Sequence, residues 1–126
     1  VFMGTPSFSV PILKAINNRV PVIGFPRGAS LTSYIKFSNL KNISAISLDE
    51  KFKLSSINRL NQSIAYQGNL DPRLLLGEQE KLLLKTEDIL LAFKDYPHIF
   101  NLGHGVLPTT PVENVEAMID KVRKFK

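Results

Sequence analysis

The side chain best placed for chemistry is His104 in Gly103-His104-Gly105. Two flanking glycines let the backbone turn closely and leave the imidazole uncovered. A neutral ring of this kind hydrogen-bonds or exchanges a proton with a ligand, and a protonated one pairs with a carboxylate. The alternative is a tight turn whose histidine faces water. Asp49-Glu50 offers two carboxylates, the residue type for general acid–base work. Adjacent strand residues point to opposite faces, so one shared catalytic site is not expected, and a charged strand end is the simpler reading. Gln67-Gly68-Asn69 supplies two amides for hydrogen bonding, or simply lets a strand leave its sheet before a helix cap at Asp71. Arg27 has the fork to clamp a carboxylate, or is a solvated loop residue. His98, beside Pro97, reads as structural.

These residues need elements to hold them. Val20-Pro-Val-Ile-Gly-Phe-Pro26 is an apolar run of strand length with prolines at its ends, where a strand tolerates them. From Ser30, an N-cap type, Leu31, Tyr34, Ile35 and Ser38 repeat at helical spacing to about Leu40. The pattern recurs with a strand at 44–49, a short helix at about 55–62 and a strand at 64–69. Asp71-Pro72 has the form of an N-cap followed by an N1 proline, and Leu82, Leu83, Ile89, Leu90 and Phe93 give a long amphipathic helix ended by Pro97. A fourth strand at 98–102 runs into the Gly-His-Gly triplet. Thr110-Pro111-Val112-Glu113 reads as a capping box with proline at N1, and Val112, Val115, Met118, Ile119, Val122 and Phe125 form the stripe of a last helix. Ahead of all this, Val1-Phe2-Met3 and Val10 to Ile16 read as a strand, a turn and a helix. Beginning on Val1 inside an apolar stub, the sequence leaves room for residues upstream.

Strand and helix alternate four times, without a tight hairpin signal between strands. That is an α/β pattern, which demands parallel strands covered by helices. Ligand groups in such sheets gather beyond the carboxyl ends of the strands. Arg27, Asp49 with Glu50, Gln67 to Asn69, and Gly103 to Gly105 all fall there.

Composition narrows the chemistry. The 126 residues make one domain or a piece of one, 44% hydrophobic and 21% charged, as in an ordinary globular chain. Without cysteine there is no disulfide scaffold, thiolate nucleophile or Cys-based metal site, and two histidines cannot build a His-rich cage. No apolar run approaches the roughly 18 residues of a membrane span and no signal-peptide pattern is present, so the expected location is cytoplasmic. The net charge of +5 is uneven: residues 1–70 carry eight Lys/Arg against two acids, and residues 71–126 eight against nine. A basic first half suits an anionic partner. The cations are scattered among apolar positions rather than clustered with aromatics, which argues against nucleic acid.

Four segments carry a resemblance. Pro21-Val-Ile-Gly-Phe-Pro-Arg-Gly28, Gln67-Gly-Asn-Leu-Asp-Pro72, His98-Ile-Phe-Asn-Leu-Gly-His-Gly105 and Pro111-Val-Glu-Asn-Val115 resemble, in order and spacing, the C-terminal part of uroporphyrinogen decarboxylase. The likeness covers residues 19–126. It implies four parallel βα units forming the C-terminal part of a (β/α)8 TIM barrel. It also implies the cofactor-free lyase reaction of porphyrin and haem biosynthesis, in which the acetate side chains of uroporphyrinogen are decarboxylated to give coproporphyrinogen. By the same resemblance His104 stands at the family's active-site histidine, making it a substrate-binding residue close to the acidic side chains. The family's arginine-bearing N-terminal loop, its pyrrole-binding aspartate, and its site tyrosine and hydroxyl residue precede the matching stretch, so no catalytic residue is assigned here. The alternative is a non-catalytic remnant, inactive alone.

Residues 1–16 are instead similar to the opening strand and helix of methionyl-tRNA formyltransferase, without that family's catalytic Asn, His and Asp. Two units follow, 1–18 and 19–126, joined near Asn17-Asn18, the pattern of a fused or decayed coding fragment. The expected partner is uroporphyrinogen, with no cofactor, metal, nucleic acid or membrane. Strand edges left open predict self-association or pairing with a complementing barrel half.

Overall fold

The computed structural model describes residues 20–126, and the segment 1–18 with its expected strand and helix lies outside them. Four strands, β1 (Ile23–Gly24), β2 (Ala45–Ser47), β3 (Ala65–Gln67) and β4 (His98–Ile99), form one sheet in the order β1-β2-β3-β4. Every neighbouring pair is parallel. Parallel strands lying side by side in chain order are the signature of part of a (β/α)8 barrel, because a doubly wound sheet reverses its order part-way. The strands are shorter than the apolar runs suggest. Ser44 N and Ala45 N both donate to Val22 O, so regular pairing starts only at Ile23, and Pro26 lacks a donor to extend it. Beyond β3 and β4 a single Leu70–Leu102 bridge continues the ladder.

Register sorts the side chains into two faces. Gly24, Ile46, Tyr66 and His98 align across the sheet and face the helices. Tyr66 and His98 both stack on Phe93 of the third βα unit, with centroids 6.5 and 4.1 Å away. Ser47, Gln67 and Ile99 align on the opposite, inner face, where Gln67 Nε2 donates to Ser47 Oγ at 3.3 Å. Ile99 is 45% exposed there, while Tyr66, Ile46 and Leu48 are fully buried on or beside the helix face. The hydrophobic core thus lies between sheet and helices; on the inner face Ala45 and Ser47 are buried, and Ile99 is exposed among the described residues.

The helical segments are α1 (Leu31–Ser38), α2 (Gln79–Ala92) and α3 (Val112–Lys124), with 3-10 turns at Leu54–Arg59 and Pro72–Leu76. Ser30 caps α1 as expected, its Oγ accepting from Ser33 N at 3.2 Å. Three helical expectations are corrected. The second helix is a 3-10 turn. Asp71-Pro72 caps another 3-10 turn, Asp71 accepting from Arg73 N at 2.9 Å; Gly77 ends that turn and α2 starts at Gln79. The capping box does not form. Pro111 is extended at ψ 131°, so α3 starts one residue later and the buried Thr110 hydroxyl has no partner. Asn114 does the joining instead, its Nδ2 donating to Leu75 O and Gly77 O at 2.9 and 3.1 Å.

Candidate functional site

The loops after β2, β3 and β4 converge at one end of the sheet, and two contacts lock them. Asn69 Nδ2 donates to Asp49 O and Phe52 O, both at 3.0 Å, bracing the β3 loop against the β2 loop. Gly103 N donates to Leu70 O at 2.8 Å, and a Cβ on Gly103 would run into the backbone of Glu50 and Asp49. The β4 loop therefore passes directly over the end of β3. His104 emerges from this crossing exposed to solvent. Its Nδ1 accepts from Gly105 N at 2.7 Å, which places the ring proton on Nε2, the nitrogen left to donate outward.

The other rim residues separate into braces and open groups. Asn69 is buried, 6% exposed, with its amide nitrogen committed, so it serves as a brace rather than an offered amide. Asp49 and Glu50 diverge. Asp49 is buried, its Oδ2 accepting from Gly28 N and its Oδ1 from Lys51 N, and it lines a cavity of about 340 Å³ at the ends of β1 and β2. Glu50 lines a separate cavity of about 200 Å³ with Asn69 and Asp71. Burial pushes the Tyr34 phenol, in the wall of the first cavity, up to about 12, so it stays protonated there. Arg27 lies exposed on the loop after β1. Lys51 and Lys53, on the first cavity's wall, escape a sequence reading centred on carboxylates and histidines. The available signal was Phe52 between them: an apolar anchor fixes which way its charged neighbours point.

His98 is structural. It lies flat on Phe93, 7° from parallel, and its Nε2 donates to Gly68 O at 2.6 Å. Burial holds its pKa below the usual imidazole range, against the smaller opposing pull of that carbonyl. A folded-state pKa below the unfolded value means the unfolded chain takes up the proton first on acidification. His98 therefore contributes full stability above about pH 6.5 and less as pH falls below it. We expect the melting temperature to decline from pH 7.5 to 5.5, and the decline to shrink in His98→Gln. Asp71, held low by its bond to Arg73, titrates well below that window. An unchanged pH slope in the variant would reject the assignment.

Among the described residues no group of three His, Asp or Glu is placed to hold a metal ion, and no helix is long and apolar enough to cross a membrane. The sequence model of the uroporphyrinogen decarboxylase (URO-D) family matches residues 8–125. The chain belongs to the uroporphyrinogen decarboxylase family. Curated relatives agree. The uroporphyrinogen decarboxylase of Chelativorans sp. (strain BNC1) is 45% identical over 116 residues, which is 90% of this chain and 34% of the relative. That of Rickettsia canadensis (strain McKiel) is 40% identical over 114 residues, 90% of this chain and 33% of the relative. That of Wolbachia pipientis wMel is 40% identical over 117 residues, with 90% and 34% covered. The chain spans about a third of the length of these relatives. For a uroporphyrinogen decarboxylase family member of this extent, four parallel βα units are a segment of the barrel, and its rim carries His104, Arg27, Lys51 and Lys53.

Proposed function

We propose that this chain is the C-terminal barrel segment of a uroporphyrinogen decarboxylase and that His104 binds the acidic side chains of uroporphyrinogen. The observation that carries this reading is the exposed imidazole at the end of β4, with Nδ1 tied to Gly105 and Nε2–H free to meet a carboxylate oxygen. A hydrogen bond to a charged group contributes about 1.5–3 kcal/mol, or roughly tenfold to hundredfold in binding. The family reaction would run in the closed barrel, and the water-soluble polycarboxylate substrate makes the cytoplasm the proposed compartment. We assign no cofactor, nucleic acid or membrane.

The open sheet favours a second component. Among the described residues β1 and β4 have no strand on their outer edges, Ile99 of the inner face is exposed, and Ile119 of α3 stands 38% exposed beside a groove formed with Phe100, Leu102 and Met118. Such edges promote self-association or pairing with a complementing barrel half. The second reading, a remnant inactive alone, predicts that no complement exists. The test of His104 is kinetic. In a barrel assembled from this chain and the N-terminal two-thirds of the Chelativorans relative, His104→Ala is expected to lower kcat/KM for uroporphyrinogen about tenfold to hundredfold at unchanged melting temperature. Unchanged kinetics would exclude the role.

A further inference from the structure

The cations of the first half lack the compensation seen in the second. All five ion pairs among the described residues, Arg73–Asp71, Lys81–Glu78, Lys85–Asp88, Lys121–Glu87 and Lys124–Asp120, fall after residue 70. Arg27, Lys51 and Lys53 are exposed at the carboxyl ends of β1 and β2 and take part in none of them. Their placement is built in. Phe52 is 8% exposed and packs edge-on against Tyr34 at 5.2 Å, so the lysines on either side of it are held at the surface of the cavity wall. Gly28, at φ +70°, has open space where a Cβ would stand, and the turn it makes keeps the mouth of the cavity clear. Asp49 is the acid in this wall, and both its oxygens are engaged by the Gly28 and Lys51 amides. Two lysines on the wall, with Arg27 next to Gly28 at its edge, face one internally bonded carboxylate, Asp49, at a cavity of about 340 Å³; Lys53 also lines the adjoining cavity that holds Glu50 and Asp71. That space takes a carboxylate-bearing arm, not a macrocycle.

We infer that Arg27, Lys51 and Lys53 form a carboxylate-binding subsite at this mouth, on the same rim as His104, whose loop crosses the β2 loop where Gly103 meets the Asp49–Glu50 backbone. The inference rests on the polycarboxylate reading above, and it assigns these three residues to carboxylates of the ligand other than the one His104 takes. Arg27 supplies a two-pronged donor and the lysines mobile point charges, a set that fits ionised carboxylates of variable reach.

Binding to the 126-residue chain tests this, with uroporphyrin I, benzenehexacarboxylate, inorganic phosphate and a dT20 oligonucleotide as probes in calorimetric titrations. Amide shifts from nitrogen-15 spectra locate each site. Uroporphyrin is expected to shift the amides of Gly28, Lys51 and Lys53, and the Lys51→Gln/Lys53→Gln double variant to bind it about tenfold more weakly. A Lys94→Gln/Arg123→Gln control should bind like the parent. A double variant within twofold of the parent overturns the subsite, as does saturation of the same amides by phosphate or dT20 with equal affinity. If His104→Ala weakens uroporphyrin binding and the double variant does not, the subsite fails and the function proposed for His104 stands. If the lysines matter for benzenehexacarboxylate and the chain shows no preference for uroporphyrin, the subsite stands and the porphyrin reading fails.

Discussion

Uroporphyrinogen incubated anaerobically with the purified 126-residue chain is expected to yield coproporphyrinogen at least about 10³-fold more slowly than with a full-length relative. Decarboxylation at a pyrrole acetate needs the macrocycle held with its inner N–H groups on an acceptor and its carboxylates on cations, so that charge developing on the pyrrole is stabilised. Preorganised groups of this kind supply much of an enzyme's acceleration, and loss of one commonly costs about 10²–10³-fold. The described residues offer His104, Arg27 and two lysines at the rim of a sheet of four strands, half the number that closes such a barrel. By the resemblance, the arginine loop, the aspartate and the tyrosine of the family lie in the part that precedes this stretch. Turnover near that of a full-length relative would overturn the view that the segment is incomplete for catalysis. Activity that returns on adding the N-terminal two-thirds of a relative would establish a split enzyme and reject the remnant reading.

Replacing one of the two glycines beside His104 should destabilise the fold strongly, and replacing the other should leave it nearly unchanged. A Cβ on Gly103 would stand 2.8 Å from Glu50 Cα and 2.9 Å from the Asp49 carbonyl carbon, with Glu50 N nearer still. All three are backbone atoms, held from the far side by the Asn69 brace, so no side chain can swing away to make room. Overpacking against backbone in this way costs about 2–4 kcal/mol, near the upper end of single substitutions, and should lower the melting temperature of Gly103→Ala by about 10 °C or more. A Cβ on Gly105 meets nothing within 4 Å, and Gly105→Ala should stay within about 0.5 kcal/mol of the parent. Equal melting temperatures for the two variants would mean that the β2 and β4 loops do not meet as described. Because His104 hangs from this crossing, Gly103→Ala should also broaden or shift the His104 ring resonances, whereas Gly105→Ala, which keeps the backbone N–H that donates to Nδ1, should leave them in place.

The alternation of apolar runs with helical spacing was enough to specify parallel strands, because periods of two and about 3.6 residues are local properties of the chain. Local chemistry likewise marked Ser30 as a cap, His98 as structural beside its proline, and His104 as the uncovered imidazole at a strand end. The helix boundaries were only partly legible. Asp71-Pro72 carries the letters of a helix start, yet the turn it caps stops at Gly77, where Asn114 of α3 collects the free carbonyls. Thr110 carries those of a capping box, yet the extended Pro111 moves the helix start past it. What tertiary structure alone decided is which polar groups face out. Asn69 became a brace because the Asp49 and Phe52 carbonyls lie within its reach, and Asp49 turned inward because the Gly28 and Lys51 amides meet its oxygens. The two glycines around His104 look alike in sequence, and only the passage of one beside the backbone of a distant loop makes it irreplaceable. Side-chain type sets what a group can bond, but a buried polar atom takes the partner that loops remote in sequence bring to it, and no local pattern encodes that meeting.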